Sequence, residues 1–210
     1  MAGAQSKSEP VRLYLLAYNT TCTILWARIL FTAIATLISS NASSVYALEP
    51  LTRCAQTLAV AEVLHAATGI VRSPVFTTFT QVFARSVQVW AINYAFPGVT
   101  ESSVAYAAML LAWATADTIR YLYFAIMLAD CPIPGVLKWA RYSLFIVLYP
   151  IGISSEWWLM YNATTVTTNW AVAGIFYFFL GLYVPGSVMM YSYMLKQRSK
   201  VLAPREPKQD

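Results

Sequence analysis

Residues 103–128 read SVAYAAMLLAWATADTIRYLYFAIML and are apolar along almost their whole length. An α-helix rises about 1.5 Å per residue, so that about 20 residues cross the roughly 30 Å hydrocarbon core of a bilayer. The stretch is therefore long enough to form one transmembrane helix. Asp117 and Arg120 lie inside it and are expected to be shielded from lipid.

Five further apolar stretches flank this one, separated by turn-forming residues such as Pro97-Gly98. They cover residues 13–39, 55–71, 75–96, 137–160 and 170–194. Hydrophobic residues make up 59% of the chain and charged residues 11%, against about 25% charged in soluble domains. The pattern predicts an all-α fold, a polytopic membrane bundle of six transmembrane helices. One domain, residues 1–195, is followed by a basic tail, residues 196–210, that is predicted to be disordered.

The distribution of Lys and Arg predicts the orientation of the bundle, because cytoplasmic loops carry the excess of these residues. With six spans, only Arg53 falls on one side of the membrane. The other side holds Lys7, Arg12, Arg72, Lys138, Arg141, Lys196, Arg198, Lys200, Arg205 and Lys208. Both termini are therefore predicted to be cytoplasmic. The net charge of +5 is explained by these basic residues, which lie at helix ends and in the tail. Their places predict contact with the lipid bilayer, and binding of nucleic acid is not predicted.

Several ionisable residues are predicted to lie at membrane depth, where each costs about 2.5–3.5 kcal/mol at the centre of a span. They are Arg28, Glu62, His65, Arg85, Asp117, Arg120 and Glu156. We expect these side chains to face the interior of the bundle and to find partners there. Spacing of three or four residues places some of them on common helix faces. These groups are Glu62 with His65, Gln81 with Arg85 and Gln88, and Asp117 with Arg120 and Tyr121.

The fifth span carries Tyr149, Gly152 and Glu156 on one helical face, and Pro150 weakens the backbone hydrogen bonding beside the tyrosine. Tyrosine and glutamate are a suitable pair for proton transfer. Two helical turns separate the pair by about 10 Å along the axis, which suits groups that act on different atoms of one substrate. The residues alone leave a second interpretation open, in which both side chains only hold helices together by hydrogen bonds.

Two other motifs resemble functional sites, one a metal site and one a phosphatase loop, but each lacks a residue that the site requires. Glu62 and His65 resemble half of a carboxylate-bridged di-metal motif, but that motif needs two such pairs and the chain has one histidine. No metal is therefore predicted. Residues 65–72 have the outline of a tyrosine phosphatase loop, but Ala66 occupies the position of the nucleophilic cysteine. Phosphatase activity is not expected.

One segment carries a specific resemblance: residues 141–156, RYSLFIVLYPIGISSE, together with EVLH at 62–65 and GIV at 69–71. The chain resembles the very-long-chain (3R)-3-hydroxyacyl-CoA dehydratase family of protein tyrosine phosphatase-like membrane proteins. The similarity also covers Gln81–Arg85 and Trp113–Arg120. It implies a six-span, multi-pass enzyme of the endoplasmic reticulum. Its reaction is the third step of fatty acid elongation, the loss of water from 3-hydroxyacyl-CoA to give trans-2-enoyl-CoA.

The resemblance implies that Tyr149 and Glu156 are the catalytic pair. Elimination needs a base near the Cα proton, an acid near the departing hydroxyl and dipoles at the thioester carbonyl, and it requires no redox cofactor or metal. Which of the two residues removes the Cα proton stays open. The predicted supporting or substrate-orienting residues are Glu62, Gln81, Arg85, Arg141 and Gly152.

The predicted partners are a long-chain 3-hydroxyacyl-CoA, the bilayer and, by resemblance, the other elongation enzymes, which are a condensing enzyme and reductases. The acyl chain is expected between the helices, with the coenzyme A headgroup near Arg72, Lys138 and Arg141. The sequons at Asn41 and Asn162 lie so near the predicted membrane surface that we expect them to carry no glycan. The alternative function is a non-catalytic membrane scaffold or transport protein.

Overall fold

A computed structural model of the chain describes residues 8–39 and 42–202, and within these ranges the elements are helical and no strand occurs. The α-helices are α1 (Glu9–Ser39), α2 (Glu49–Leu58), α3 (Val60–Ala67), α4 (Val75–Val87), α5 (Pro97–Thr100), α6 (Val104–Leu128), α7 (Gly135–Ser143), α8 (Phe145–Val166) and α9 (Trp170–Leu202). A 3-10 helix, Ala42–Leu48, precedes α2, and a π-helical segment, Gln88–Tyr94, extends α4. The sequon residue Asn41 lies outside the described residues.

Each of the six apolar stretches corresponds to one helical rod. α1, α6 and α9 are single helices, whereas the other three rods are composite. The second rod is α2 and α3, which meet at Ala59, and the third is α4 with its π-helical extension. In the fifth rod, α7 and α8 are bent by 40° at Leu144, while α8 continues through Pro150. The all-α prediction is confirmed for the described part of the chain.

α6 lies at the centre of the bundle, where it packs against α1 on one side and α8 on the other, and α8 in turn packs against α9. The core between α1 and α6 is closed by Trp26, Ile29, Met109 and Leu110, all of which are fully buried. Alanines such as Ala114 let the helices approach closely, as is common where membrane helices pack. This central position of α6 brings its polar residues against three neighbouring rods.

Contacts between helix ends show that consecutive rods run antiparallel. At one end of the bundle, Arg12 at the start of α1 forms an ion pair with Asp130, just after α6. At the same end, Arg198 near the end of α9 donates a hydrogen bond to Ser143, which ends α7. The opposite end is closed by two aromatic pairs, Tyr46 with Tyr106 and Phe96 with Phe176. Short connections favour this up-and-down arrangement.

Within the described ranges, α1 and α9 are long and apolar enough to cross a membrane, and the bent pair α7 and α8 supplies a third candidate if it forms one span. The remaining three crossings and the side of each terminus stay predictions. α9 runs through Leu202, whereas the sequence predicted disorder from Lys196. The hydrogen bond from Arg198 to Ser143 anchors this last part of α9 to α7. Residues 203–210, the rest of the predicted tail, lie outside the described residues.

Candidate active site

The carboxylate of Glu156 lies where α6, α8 and α9 meet. The residue is 6% exposed, and each of its oxygens accepts one hydrogen bond. Trp113 Nε1, on α6, donates to Oε1 at 2.7 Å, and the Tyr183 hydroxyl, on α9, donates to Oε2 at 2.9 Å. Because a buried carboxylate is costly unless its oxygens are satisfied, these two donors are what allow an acidic side chain at this depth.

Tyr149 lies two turns before Glu156 on α8 and is half-buried. Its ring centroid is 6.0 Å from that of Tyr191 on α9. The Tyr149 hydroxyl forms no hydrogen bond with another residue of 8–39 or 42–202, so it is free to meet a substrate. The structure therefore places the predicted pair along the seam between α8 and α9.

Gly152 lies between the two residues of the pair, and its missing side chain leaves room for the carboxylate. A Cβ at this position would be 3.7 Å from Glu156 Oε1 and 3.8 Å from the indole of Trp113. Both are ordinary van der Waals distances, so a methyl group fits at this position. What Gly152 contributes to the packing around Glu156 is space, and its supporting role stays a prediction.

Four charged residues from three rods form a buried ion network beside this site. Arg85 on α4 contacts Asp117 at 2.5 Å, and Arg120 contacts the other oxygen of Asp117 at 3.2 Å. Arg120 also holds Glu62 on α3 through two hydrogen bonds of 2.8 and 3.1 Å, and Tyr121 donates to the same carboxylate. The two cations and two anions balance, which allows the charges to remain buried. Asp117 and Arg120, which the spacing placed on one face of α6, form an ion pair that extends to α3 and α4.

Arg85 links the ion network to the carboxylate. Its guanidinium carbon lies 4.0 Å from the ring centroid of Trp113, a cation–π contact on the face of the indole that donates to Glu156. The same guanidinium lies 5.4 Å from the ring of Trp26 on α1. A continuous set of contacts therefore runs from Asp117 through Arg85 and Trp113 to Glu156.

Two predicted supporting residues lie apart from these contacts. Gln81 is exposed and its amide nitrogen is 3.9 Å from the sulfur of Met190. The guanidinium of Arg141 packs 4.8 Å from the ring of Phe124, and its Nε has no hydrogen-bond partner in the described part of the chain. In the described ranges neither residue forms a hydrogen bond with Tyr149 or Glu156. Of the predicted supporting residues, the structure groups Arg85, Glu62 and Gly152 around the site.

The expectation that every ionisable residue at membrane depth faces the interior is wrong for Arg28. This residue is exposed on α1, and it has no ion pair or hydrogen bond within the described residues. Its place on the helix explains this, because Trp26 and Ile29 occupy the face that packs on the core. His65, in contrast, is buried, and its Nε2 lies 2.9 Å from the hydroxyl of Tyr14.

An open, mostly apolar groove of about 430 Å³ runs between α8 and α9 next to the carboxylate. Its lining residues are Pro150, Ile153, Ser154, Trp157, Trp158, Tyr183, Val184 and Ser187. Tyr183 belongs to both features, since its ring lines the groove and its hydroxyl reaches Glu156. The groove therefore opens on the side of the bundle and reaches the neighbourhood of Glu156 through Tyr183.

The sequence did not single out Trp113 or Tyr183. Both look like ordinary apolar residues of a transmembrane helix, and their partner lies on a different helix. One signal existed for Trp113, because it precedes Asp117 by four residues and thus shares a helical face with it. Tyr183 shares a face with Ser187 and Tyr191 by the same spacing.

Fold and site together define a class of protein: a helical protein with candidate membrane spans that holds a buried carboxylate and a tyrosine on one helix. The chain belongs to the family described as protein tyrosine phosphatase-like protein, PTPLA, which matches residues 56–204. No solved structure matches the chain.

Curated relatives match the chain over most of its length. A protein of Oryza sativa subsp. japonica named very-long-chain (3R)-3-hydroxyacyl-CoA dehydratase PASTICCINO 2A is 39% identical, over 97% of this chain and 98% of that protein. The Arabidopsis thaliana protein named very-long-chain (3R)-3-hydroxyacyl-CoA dehydratase PASTICCINO 2 is also 39% identical, over 91% and 94%. The Homo sapiens protein named very-long-chain (3R)-3-hydroxyacyl-CoA dehydratase 2 is 33% identical, over 92% and 82%. The resemblance found in the sequence is thereby confirmed.

Proposed function

We propose that this chain removes water from very-long-chain (3R)-3-hydroxyacyl-CoA to give trans-2-enoyl-CoA, the third step of the fatty acid elongation cycle. Its membership of the family and the names of its relatives support this activity. The observation in the structure that carries the proposal is the buried carboxylate of Glu156, satisfied by two donors and set on the same helix face as a free tyrosine hydroxyl. The enzyme is a carbon–oxygen lyase.

Tyr149 and Glu156 act as the acid and base of the elimination in this proposal. Arg85 supports the pair through Trp113, Gly152 leaves space for the carboxylate, and Glu62 neutralises Arg120 so that no excess positive charge faces the site. We assign the two remaining predicted residues to the substrate. They are Gln81 and Arg141, which lie outside these contacts.

The groove between α8 and α9 is the route that we propose for the acyl chain. It is lined mostly by apolar side chains, and Tyr183 connects it with Glu156. The coenzyme A headgroup then remains at the end of the bundle that carries Arg72, Lys138 and Arg141. Charge reversal at Lys138 should raise the KM for acyl-CoA several-fold with kcat kept, whereas an unchanged KM would refute this placement.

The membrane setting is part of the proposal. Residues 1–195 form one catalytic domain of six spans with both termini in the cytoplasm, located in the endoplasmic reticulum membrane. The six antiparallel rods and the lopsided distribution of Lys and Arg support this arrangement. We further propose that a condensing enzyme and reductases of the elongation cycle are its partners, because they supply its substrate and consume its product.

The test is turnover of long-chain 3-hydroxyacyl-CoA by the purified protein, beside Tyr149→Phe and Glu156→Gln. Each variant keeps the shape of the residue and removes its proton-transfer group, so activity should fall at least a hundredfold in both. Thermal unfolding of each variant in detergent shows that it is folded. A folded parent protein that turns over no chain length would favour the scaffold or transport alternative.

A further inference from the structure

Glu156 is bound by two donors of different character. Indole nitrogen can donate a hydrogen bond and cannot accept one, so the 2.7 Å contact from Trp113 fixes Oε1 as an acceptor. The Tyr183 hydroxyl occupies the other oxygen at 2.9 Å. Hydrogen bonds donated to both oxygens favour the ionised form of the carboxyl group, because they stabilise its charge.

The donors come from two different helices that pack against α8, which are α6 and α9. Trp113 is itself held by the guanidinium of Arg85, whose other partner is Asp117. The carboxylate therefore cannot rotate without breaking a hydrogen bond to one of two packed helices. Tyr149, in contrast, has no hydrogen-bond partner in the described ranges.

We infer that Trp113 and Tyr183 are positioning residues that hold Glu156 as the ionised base of the elimination, and that Tyr149 is its acid. This inference rests on the proposed function and assigns the roles within it. The Glu156 carboxylate takes the Cα proton of the substrate, and the electrons of that C–H bond form the Cα=Cβ double bond. The Cβ–O bond breaks as Tyr149 gives its proton to the departing hydroxyl, which leaves as water. A proton then passes from Glu156 to the Tyr149 phenolate and restores both groups.

The charged or titratable groups that face Glu156 are Arg85 from α4, Tyr183 from α9 and Tyr149 on its own helix. Of these, Tyr183 alone donates a hydrogen bond to the carboxylate within residues 8–39 and 42–202. Arg85 is already paired with Asp117 and reaches the site across the face of Trp113. The indole N–H and the Tyr183 hydroxyl are thus the direct hydrogen-bond donors to the carboxylate in the described part of the chain.

The experiment compares Trp113→Phe and Tyr183→Phe, each of which removes one donor and keeps the ring. A hydrogen bond to a charged group stabilises the charge enough to move the pH at which the group titrates by about one unit. The acidic limb of the pH profile of kcat should therefore move about one unit to higher pH in each variant. At a pH below the shifted limb, kcat should fall about tenfold, with KM within twofold of the parent protein. The double variant should shift further than either single one.

Matched controls are Trp90→Phe and Tyr46→Phe. These remove bonds of the same two kinds, from Trp90 Nε1 to Thr57 at 3.2 Å and from the Tyr46 hydroxyl to the Asn93 carbonyl at 2.9 Å. Their pH profiles should match that of the parent protein even if their thermal stability falls.

Three outcomes are distinguishable. An active parent protein whose profile is unmoved by Trp113→Phe and Tyr183→Phe overturns the inference and leaves the proposed function intact. A shift of equal size in the controls also overturns it, because the effect would then be one of general stability. An inactive parent protein refutes the proposed function itself.

Discussion

The carboxylate of Glu156 and the missing side chain of Gly152 lie next to each other on α8. The carboxylate accepts two hydrogen bonds, and the residue one turn earlier, Gly152, leaves open the space beside Oε1. Gly152 has an ordinary helical backbone, so its importance comes from space and not from conformational freedom. The face of α8 that carries Tyr149 and Glu156 thus also depends on the space at Gly152.

Substitution of Gly152 should separate size from backbone effects. In Gly152→Ala the new methyl lies at van der Waals distance from Glu156 Oε1, so the protein should fold normally and lose activity only several-fold. Gly152→Val adds atoms that overlap the carboxylate or Trp113, which should cost about 1–3 kcal/mol of stability and most of kcat. Turnover and thermal unfolding of both variants provide the measurement. Equal activity in Ala and Val variants would contradict the spatial role.

α1 and α6 carry arginines in opposite environments, which makes them a natural comparison. Arg120 on α6 is held by Glu62 and Asp117 from two helices. Arg28 on α1 is exposed, and the exposed residues Ile24 and Phe31 on either side of it indicate a lipid-facing surface. A charged side chain at the position of Arg28 raises the free energy of insertion into a membrane. The charge of Arg120 is instead balanced by the carboxylates of the ion network.

Replacing each arginine by leucine should therefore have opposite effects. Arg120→Leu leaves two buried carboxylates undercompensated and should destabilise the fold by about 3–5 kcal/mol. Arg28→Leu should be neutral or stabilising, because insertion of leucine is more favourable than that of arginine by about 3 kcal/mol. Unfolding in detergent and in lipid nanodiscs measures both. A loss of stability in Arg28→Leu as large as in Arg120→Leu would mean that another chain pairs with Arg28 in the membrane.

For the molecule as a whole, the six antiparallel rods and the three cysteines make the predicted topology testable. Cys22 is buried in the core, whereas Cys54 on α2 and Cys131 after α6 are exposed. In the six-span arrangement Cys54 lies on the lumenal side and Cys131 on the cytoplasmic side. If only α1, α9 and the bent pair of α7 and α8 crossed the membrane, both cysteines would lie on the same side.

A membrane-impermeant maleimide applied to sealed microsomes should therefore label Cys131 and spare Cys54, which becomes reactive after permeabilisation. Cys22 should stay unlabelled until the protein is unfolded, and it serves as the internal control. Each site is read out in a variant that keeps that one cysteine and replaces the other two by serine. Labelling of both exposed cysteines in sealed vesicles would contradict the six-span arrangement.

The sequence by itself determined the class of fold, the family and which residues share one face of α8. Hydropathy and helical spacing are local properties, so the six apolar stretches and the shared face of Tyr149, Gly152 and Glu156 can be read along the chain. The resemblance to the dehydratases also rests on contiguous segments, and the family match confirms it.

Only the tertiary structure decided which side chains meet. It brought Trp113 and Tyr183 to Glu156, joined Glu62 to Arg120 and turned Arg28 outward. These contacts depend on how each helix is rotated and on which helix packs beside it, and apolar faces of similar composition leave that choice open in a sequence. The positions of hydrogen-bond donors around a buried carboxylate are therefore a property of the packed bundle.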